Sequence, residues 1–140
     1  IDKGAIKMID ENKFKFPKEH KNYLIPQVLT GVNHEMSFMT EETFGPCVGI
    51  MKVKNENDAI QLMNDSPYGL TASIWTRDLE VAETIGNQVE TGTFYMNRCD
   101  YLDPALSWTG VKETGKGCSL SEIAYEKLTA PKSFHLRKEQ

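Results

Sequence analysis

The pattern of apolar and polar positions is clearest from residue 47 onward. Cys47-Val48-Gly49-Ile50-Met51-Lys52-Val53 is a short apolar run of the kind that forms a buried strand. Asn55 or Asn57 is placed to cap a helix reaching about Asp65, with Ala59, Ile60 and Met63 on one face. Pro67 and Gly69 end it. Leu70 to Thr76 predicts a second strand. Asp78 caps a second helix in which Val81, Ala82, Ile85 and Val89 share a face. Thr91-Gly92 then turns into a third strand, Thr93-Phe94-Tyr95-Met96. This alternation predicts an α/β fold with right-handed βαβ crossovers and a parallel sheet. Functional residues are expected at the carboxyl edge of such a sheet. Residues 97–118 follow such an edge, are rich in Gly, Asp and Pro, and form a loop long enough to be functional.

The flanks are less regular. Ile1-Asp2-Lys3-Gly4-Ala5 reads as a helix end running into a turn, so the chain is expected to begin inside a domain. Ala5 to Asp10 carries Ile6, Met8 and Ile9 and predicts a short strand. Residues 11–22, with Pro17, read as a Lys-rich surface loop. Asn22 to Val32 is a strand candidate, with Pro26 marking an edge or a bend. Residues 33–45 read as loop with one helical turn at 34–39. Ser119-Leu120-Ser121-Glu122 has the form of a capping box, predicting a helix to about Thr129 that Pro131 stops. Ser133 to Arg137 alternates as a strand does.

Composition narrows the function classes. The 140 residues suit one domain or a piece of a larger one. With 39% hydrophobic and 26% charged residues, the chain reads as globular. A net charge of −4 with scattered Lys and Arg argues against nucleic acid as a partner. No apolar run approaches the roughly 18 residues of a membrane span. Three cysteines at wide spacing and three histidines without ligand spacing argue against a disulfide framework or a metal site. A reducing, cytoplasmic setting is the default expectation.

Several residues are candidates for chemistry. Gly110-Val111-Lys112-Glu113-Thr114-Gly115-Lys116-Gly117 nearly matches a phosphate-binding P-loop and precedes a predicted helix. Gly117 replaces the Ser/Thr that would hold magnesium, so a flexible turn is the stronger reading. Cys99 stands beside Arg98 in the loop after the third strand. Cys118 precedes a predicted helix N-terminus, a position that favours a thiolate, and Cys47 enters an apolar strand. The ordinary reading of each is a small packed or surface residue. Glu42 and Phe44 are more telling: a carboxylate can accept both hydroxyls of a ribose, and a ring beside it can pack on a cofactor. On local residues alone, a surface Glu and a core Phe are the stronger reading.

Taken in order, the motifs resemble the aldehyde dehydrogenase superfamily. Glu41-Glu42-Thr43-Phe44-Gly45-Pro46 is similar to its E-E-x-F-G-P motif. Asn64 to Leu70 matches N-x-x-x-Y-G-L, and Ala72-Ser73-Ile74-Trp75-Thr76 matches A-S-I/V-W-T. Gly92 to Asn97 matches G-x-x-x-x-N, and Trp108 to Gly115 matches F-G-G-x-K-x-S-G with Trp-Thr in place of Phe-Gly. The resemblance covers nearly the whole chain.

That resemblance implies NAD- or NADP-dependent oxidation of an aldehyde to its acid through a cysteine thioester. Glu42 matches the glutamate on the nicotinamide ribose and Phe44 the aromatic residue beside the nicotinamide. Asp100, Leu102 and Trp108 fall near positions lining the substrate entrance. The family nucleophile in G-Q-x-C and the activating glutamate in L-E-L-G-G have no match here, so no catalytic residue is expected in these 140 residues. The implied organisation is a partial catalytic domain of parallel-sheet βαβ units over residues 1–130, and a C-terminal oligomerisation strand over 131–140 that joins a neighbouring subunit's sheet. The segment alone is expected to be inactive. The alternative is a non-catalytic interaction module built on the same fold piece.

Overall fold

Two parallel strand pairs organise the chain, each in its own unit: Ile1–Asn55 and Glu56–Gln140. The computed structural model describes residues 1–15 and 22–138. Part of the predicted 11–22 loop, including Pro17, lies outside them, as do the last two residues of the tail.

In the first unit, β1 (Ile6–Lys7) lies antiparallel to β2 (Gln27–Thr30). β2 begins directly after Pro26, which has no N–H to give to a ladder. A short helix, α1 (Ser37–Thr40), starts three residues later than the turn predicted at 34–39. β3 (Cys47–Gly49) pairs parallel with β2, placing Gln27 opposite Cys47 and Leu29 opposite Gly49. Ala5, Val32 and Met36 are buried, with Leu29, Met39 and Met51 packed on them. The buried strand predicted over 47–53 is corrected in two ways. It is three residues long, and Val48 and Ile50 are 53% and 51% exposed. Period-two alternation turns Met51 to the core and its neighbours outward, because the unit buries one face only.

The second unit opens with α2 (Glu56–Asn64), directly after Asn55. Ile60 is buried, whereas Met63, predicted on the same face, is exposed. β4 (Tyr68–Gly69) and β5 (Thr71–Ile74) follow. α3 (Leu79–Gly86) is capped as the sequence predicts, with the Asp78 carboxylate accepting from the Val81 N–H at 3.1 Å. β6 (Thr93–Met96) then pairs parallel with β5, Ala72 opposite Phe94, completing the βαβ crossover. Ile60, Ala72, Ile85 and Val89 form the core, with Ile74, Val81 and Phe94 against it.

The loop predicted over 97–118 holds regular structure. It contains β7 (Trp108–Thr109) and β8 (Val111–Lys112), and β9 (Cys118–Ser119) closes it. β7 pairs with β9 and β8 with β4, both antiparallel. Two-residue strands leave no periodic signal. The capping box is not formed, because Ser119 is held opposite Trp108 in the β9 ladder. Leu120 and Ser121 then take left-handed backbone (φ 62° and 55°), and α4 (Ile123–Leu128) begins after them. Residues 131–138 are exposed and carry no helix or strand.

A polar knot ties α2, the α3–β6 turn and β8 together. Asn64 accepts from the Glu90 N–H at 2.8 Å and donates to the Gln88 carbonyl at 2.7 Å. The Lys112 ammonium donates to the carbonyls of Asn64 (2.7 Å) and Ser66 (3.1 Å) and pairs with Glu90 at 2.7 Å. The Gly69 N–H donates to Thr114 Oγ1 at 2.8 Å. Backbone passes so closely here that a Cβ on Gly92 would lie 1.6 Å from the Thr109 carbonyl oxygen. Gly92→Ala is therefore expected to destabilise the chain by about 3 kcal/mol or more. Lys112→Met, which leaves two carbonyls without their donor, should lose about 2 kcal/mol. Denaturant unfolding midpoints measure both, and wild-type midpoints would refute the knot's role.

Candidate functional site

Two candidate surfaces stand in separate units. In the first, the loop carrying Glu42 and Phe44 is pinned at both ends. The Glu41 N–H closes α1 on the Ser37 carbonyl at 2.8 Å. At the other end, the Pro46 carbonyl accepts from the Gln27 N–H at 2.9 Å, and the Cys47 N–H turns back to Gly45 at 2.8 Å. Between these anchors Glu42 is exposed and makes no hydrogen bond or ion pair among the described residues. Phe44 is 94% exposed, so the expectation of a core Phe is excluded within this chain. An aromatic ring held in water on a pinned loop is a surface for something else to cover.

In the second unit the carboxyl edge of β5 and β6 is closed by Asn97. Its left-handed backbone (φ 56°) turns the chain while its amide accepts from the Thr76 N–H at 3.0 Å and donates to the Thr76 carbonyl at 2.7 Å. The loop beyond folds back on Tyr95, which is 8% exposed and donates its hydroxyl to the Tyr101 carbonyl at 2.8 Å. The Arg98 guanidinium sits 3.8 Å from the centre of the Tyr101 ring. A small cleft results, lined by Tyr95, Arg98, Tyr101, Asp103, Leu106 and Trp108, with Thr93, Ser107 and Leu120 completing it.

Of the three substrate-side residues expected from the sequence, Trp108 lines this cleft, fixed there by β7. Asp100 (φ 44°) and Leu102, 56% exposed, lie on the same loop but outside the lining. Sequence reasoning missed Tyr95, Arg98 and Tyr101. The signal available was the inward position of Tyr95 in a strand that ends at the functional edge.

Two of the remaining candidates lose the helix N-terminus that their chemistry needed. Cys118 is in β9 and does not abut a helix N-terminus, since α4 starts at Ile123. Cys47 is half-buried in β3, and Cys99 is exposed. Gly110 to Gly117 runs through β8 into a turn with Gly115 at φ 128° and leads into a strand, so the helix dipole of a P-loop is missing. Among the described residues no group of three or more His, Cys, Asp or Glu could hold a metal. No helix there is long and apolar enough to cross a membrane.

Parallel strands joined by a helix, with a built loop at their carboxyl ends, define an α/β protein. More particularly, the chain belongs to the aldehyde dehydrogenase family, whose model matches residues 1–134. An aldehyde dehydrogenase of Davidiella tassiana is 36% identical over 121 residues, covering 86% of this chain and 24% of that protein. The solved betaine aldehyde dehydrogenase of Staphylococcus aureus, in complex with NAD+, superposes with a TM-score of 0.79 at 29% identity. That match covers 90% of this chain and 25% of the other. Succinic semialdehyde dehydrogenase of Streptococcus pyogenes, in complex with NADP+, gives 0.79 at 30% identity, over 89% and 27%. The chain thus spans about a quarter of the length of the relatives it matches.

The loop's shape depends on the Tyr95 hydroxyl. Tyr95→Phe should lose about 1 kcal/mol of stability and speed backbone amide exchange in residues 98–106. Exchange rates equal to wild type would show that the loop is held by other contacts.

Proposed function

We propose that the chain forms the C-terminal part of an NAD(P)-dependent aldehyde dehydrogenase that oxidises an aldehyde to a carboxylic acid through a cysteine thioester. The observation that carries the reading is the Glu42–Phe44 loop, a free carboxylate and a bare ring on backbone pinned at both ends. Those residues fit a nicotinamide nucleoside. The Glu42 carboxylate is acceptor-only and suits two ribose hydroxyls, while the Phe44 ring gives a flat apolar surface for the base. When bound, the nicotinamide supplies the hydride acceptor. Glu42 sets the ribose orientation and Phe44 excludes water from one side. Relatives solved with NAD+ and with NADP+ support either cofactor.

On this reading Asp100, Leu102 and Trp108 border the substrate entrance, with Trp108 forming its inner wall. The nucleophile is assigned to chain beyond these 140 residues, because none of Cys47, Cys99 and Cys118 stands in a G-Q-x-C context. These residues alone are then inactive. Residues 1–130 belong to the catalytic domain. The tail from 131 serves as the strand that joins a second subunit, a role supported by Phe134 and Leu136, 70% and 85% exposed.

The test uses the full-length enzyme. Glu42→Gln weakens the ribose hydrogen bonds and should slow NAD(P)H production about tenfold or more. Covalent capture of the aldehyde by the nucleophile should stay near the wild-type rate. Wild-type NAD(P)H production with an unchanged cofactor KM would refute the assignment.

A further inference from the structure

We propose that the cleft beside Trp108 selects aldehydes that carry an oxyanion, a carboxylate or phosphonate, at the end remote from the carbonyl, and that Arg98 is the residue that selects them. The proposal rests on the reading of the 97–108 loop as the substrate entrance.

The cleft lining holds one guanidinium, that of Arg98, which is exposed and stacked on a ring, and one carboxylate, that of Asp103. The buried Tyr95 hydroxyl holds the Tyr101 backbone at 2.8 Å, and the Tyr101 ring holds the guanidinium at 3.8 Å. A guanidinium stacked on a ring keeps its N–H groups for a planar anion and surrenders little side-chain freedom on binding one. Arg98 makes no ion pair among the described residues, although Asp100 and Asp103 are close in sequence. Asp103 also lines the cleft; its carboxylate accepts from the Ala105 N–H at 2.9 Å and does not pair with Arg98. Leu106, Trp108 and Leu120 supply the apolar part of the lining. Apolar side chains beside one guanidinium that makes no ion pair among the described residues suit a short carbon chain ending in an oxyanion. A neutral aliphatic aldehyde would leave the guanidinium unanswered.

The experiment compares kcat/KM of the full-length enzyme for 4-oxobutanoate, 3-phosphonopropanal and the neutral butanal. At least one anionic aldehyde is expected to exceed butanal by about tenfold or more, as one charge-assisted hydrogen bond supplies. Which of the two leads tells carboxylate from phosphonate. Arg98→Gln should reduce the anion-to-neutral ratio about tenfold, mainly through KM, and Arg98→Lys should retain part of it. The ratio does not depend on how much variant is folded, so loss of the ring stack alone would not mimic the result. A ratio near one in the wild type, with butanal oxidised, overturns this proposal and leaves the aldehyde dehydrogenase reading intact. A ratio unchanged by Arg98→Gln also overturns it. Oxidation of none of the three aldehydes overturns this proposal, and the Glu42→Gln experiment decides the aldehyde dehydrogenase reading separately.

Discussion

The second unit depends on one amide and one ammonium. Asn64 sits at the end of α2 and occupies both hydrogen-bonding sites of its side chain on the turn that leads from α3 to β6. Lys112 comes back from the opposite direction and takes the carbonyls that the end of α2 leaves open. Helix ends and crossover turns are where backbone polar groups lack ladder partners. Here a single cluster answers them. The close approach of Gly92 to Thr109 and of Gly69 to Glu90 follows, because the clamp draws these segments nearer than a Cβ would permit. Asn64, Gly69, Gly92, Lys112 and Thr114 all belong to the motifs that carry the family resemblance. Their shared physical reason is backbone satisfaction at this knot.

That arrangement explains which parts of the fold were legible in the sequence. The α3 helix was readable because its cap and its apolar stripe are local: Asp78 bonds three residues ahead, and Ala82 and Ile85 meet the core at helical spacing. β5 and β6 were readable as four-residue runs of strand formers. The pairs made by β4 with β8 and by β7 with β9 were not, since two residues have no period and neither pair is joined by a tight hairpin turn. The supposed capping box shows a local signal overruled. Ser119 offered a good N-cap, yet ladder pairing held it in a strand and two left-handed residues moved the helix start onward. At β3 the apolar run was legible but its burial was not, because burial depends on what covers the outer face.

The candidate site divides along the same line. Glu42 and Phe44 emerged only through the order of motifs, since a carboxylate and a ring two residues apart have no local signature. The structure adds that the ring is bare and the loop pinned. Trp108 was legible by position, whereas Arg98 was noticed only as a neighbour of Cys99. Its significance comes from Tyr101, which the Tyr95 hydroxyl turns toward it. No one-dimensional pattern encodes a bond from a buried strand tyrosine to the carbonyl six residues on.

Lys112 also combines two demands that rarely coincide. Its backbone is left-handed (φ 56°), a conformation that favours Gly or Asn, while its ammonium spans to Asn64, Ser66 and Glu90. Residues that relax the backbone are too short to reach those carbonyls. Arginine is long enough, but its planar fork does not match three acceptors that converge on one point. Every single substitution therefore surrenders one demand to meet the other. The position is an isolated peak for mutational change, from which drift toward another residue type must begin with a loss.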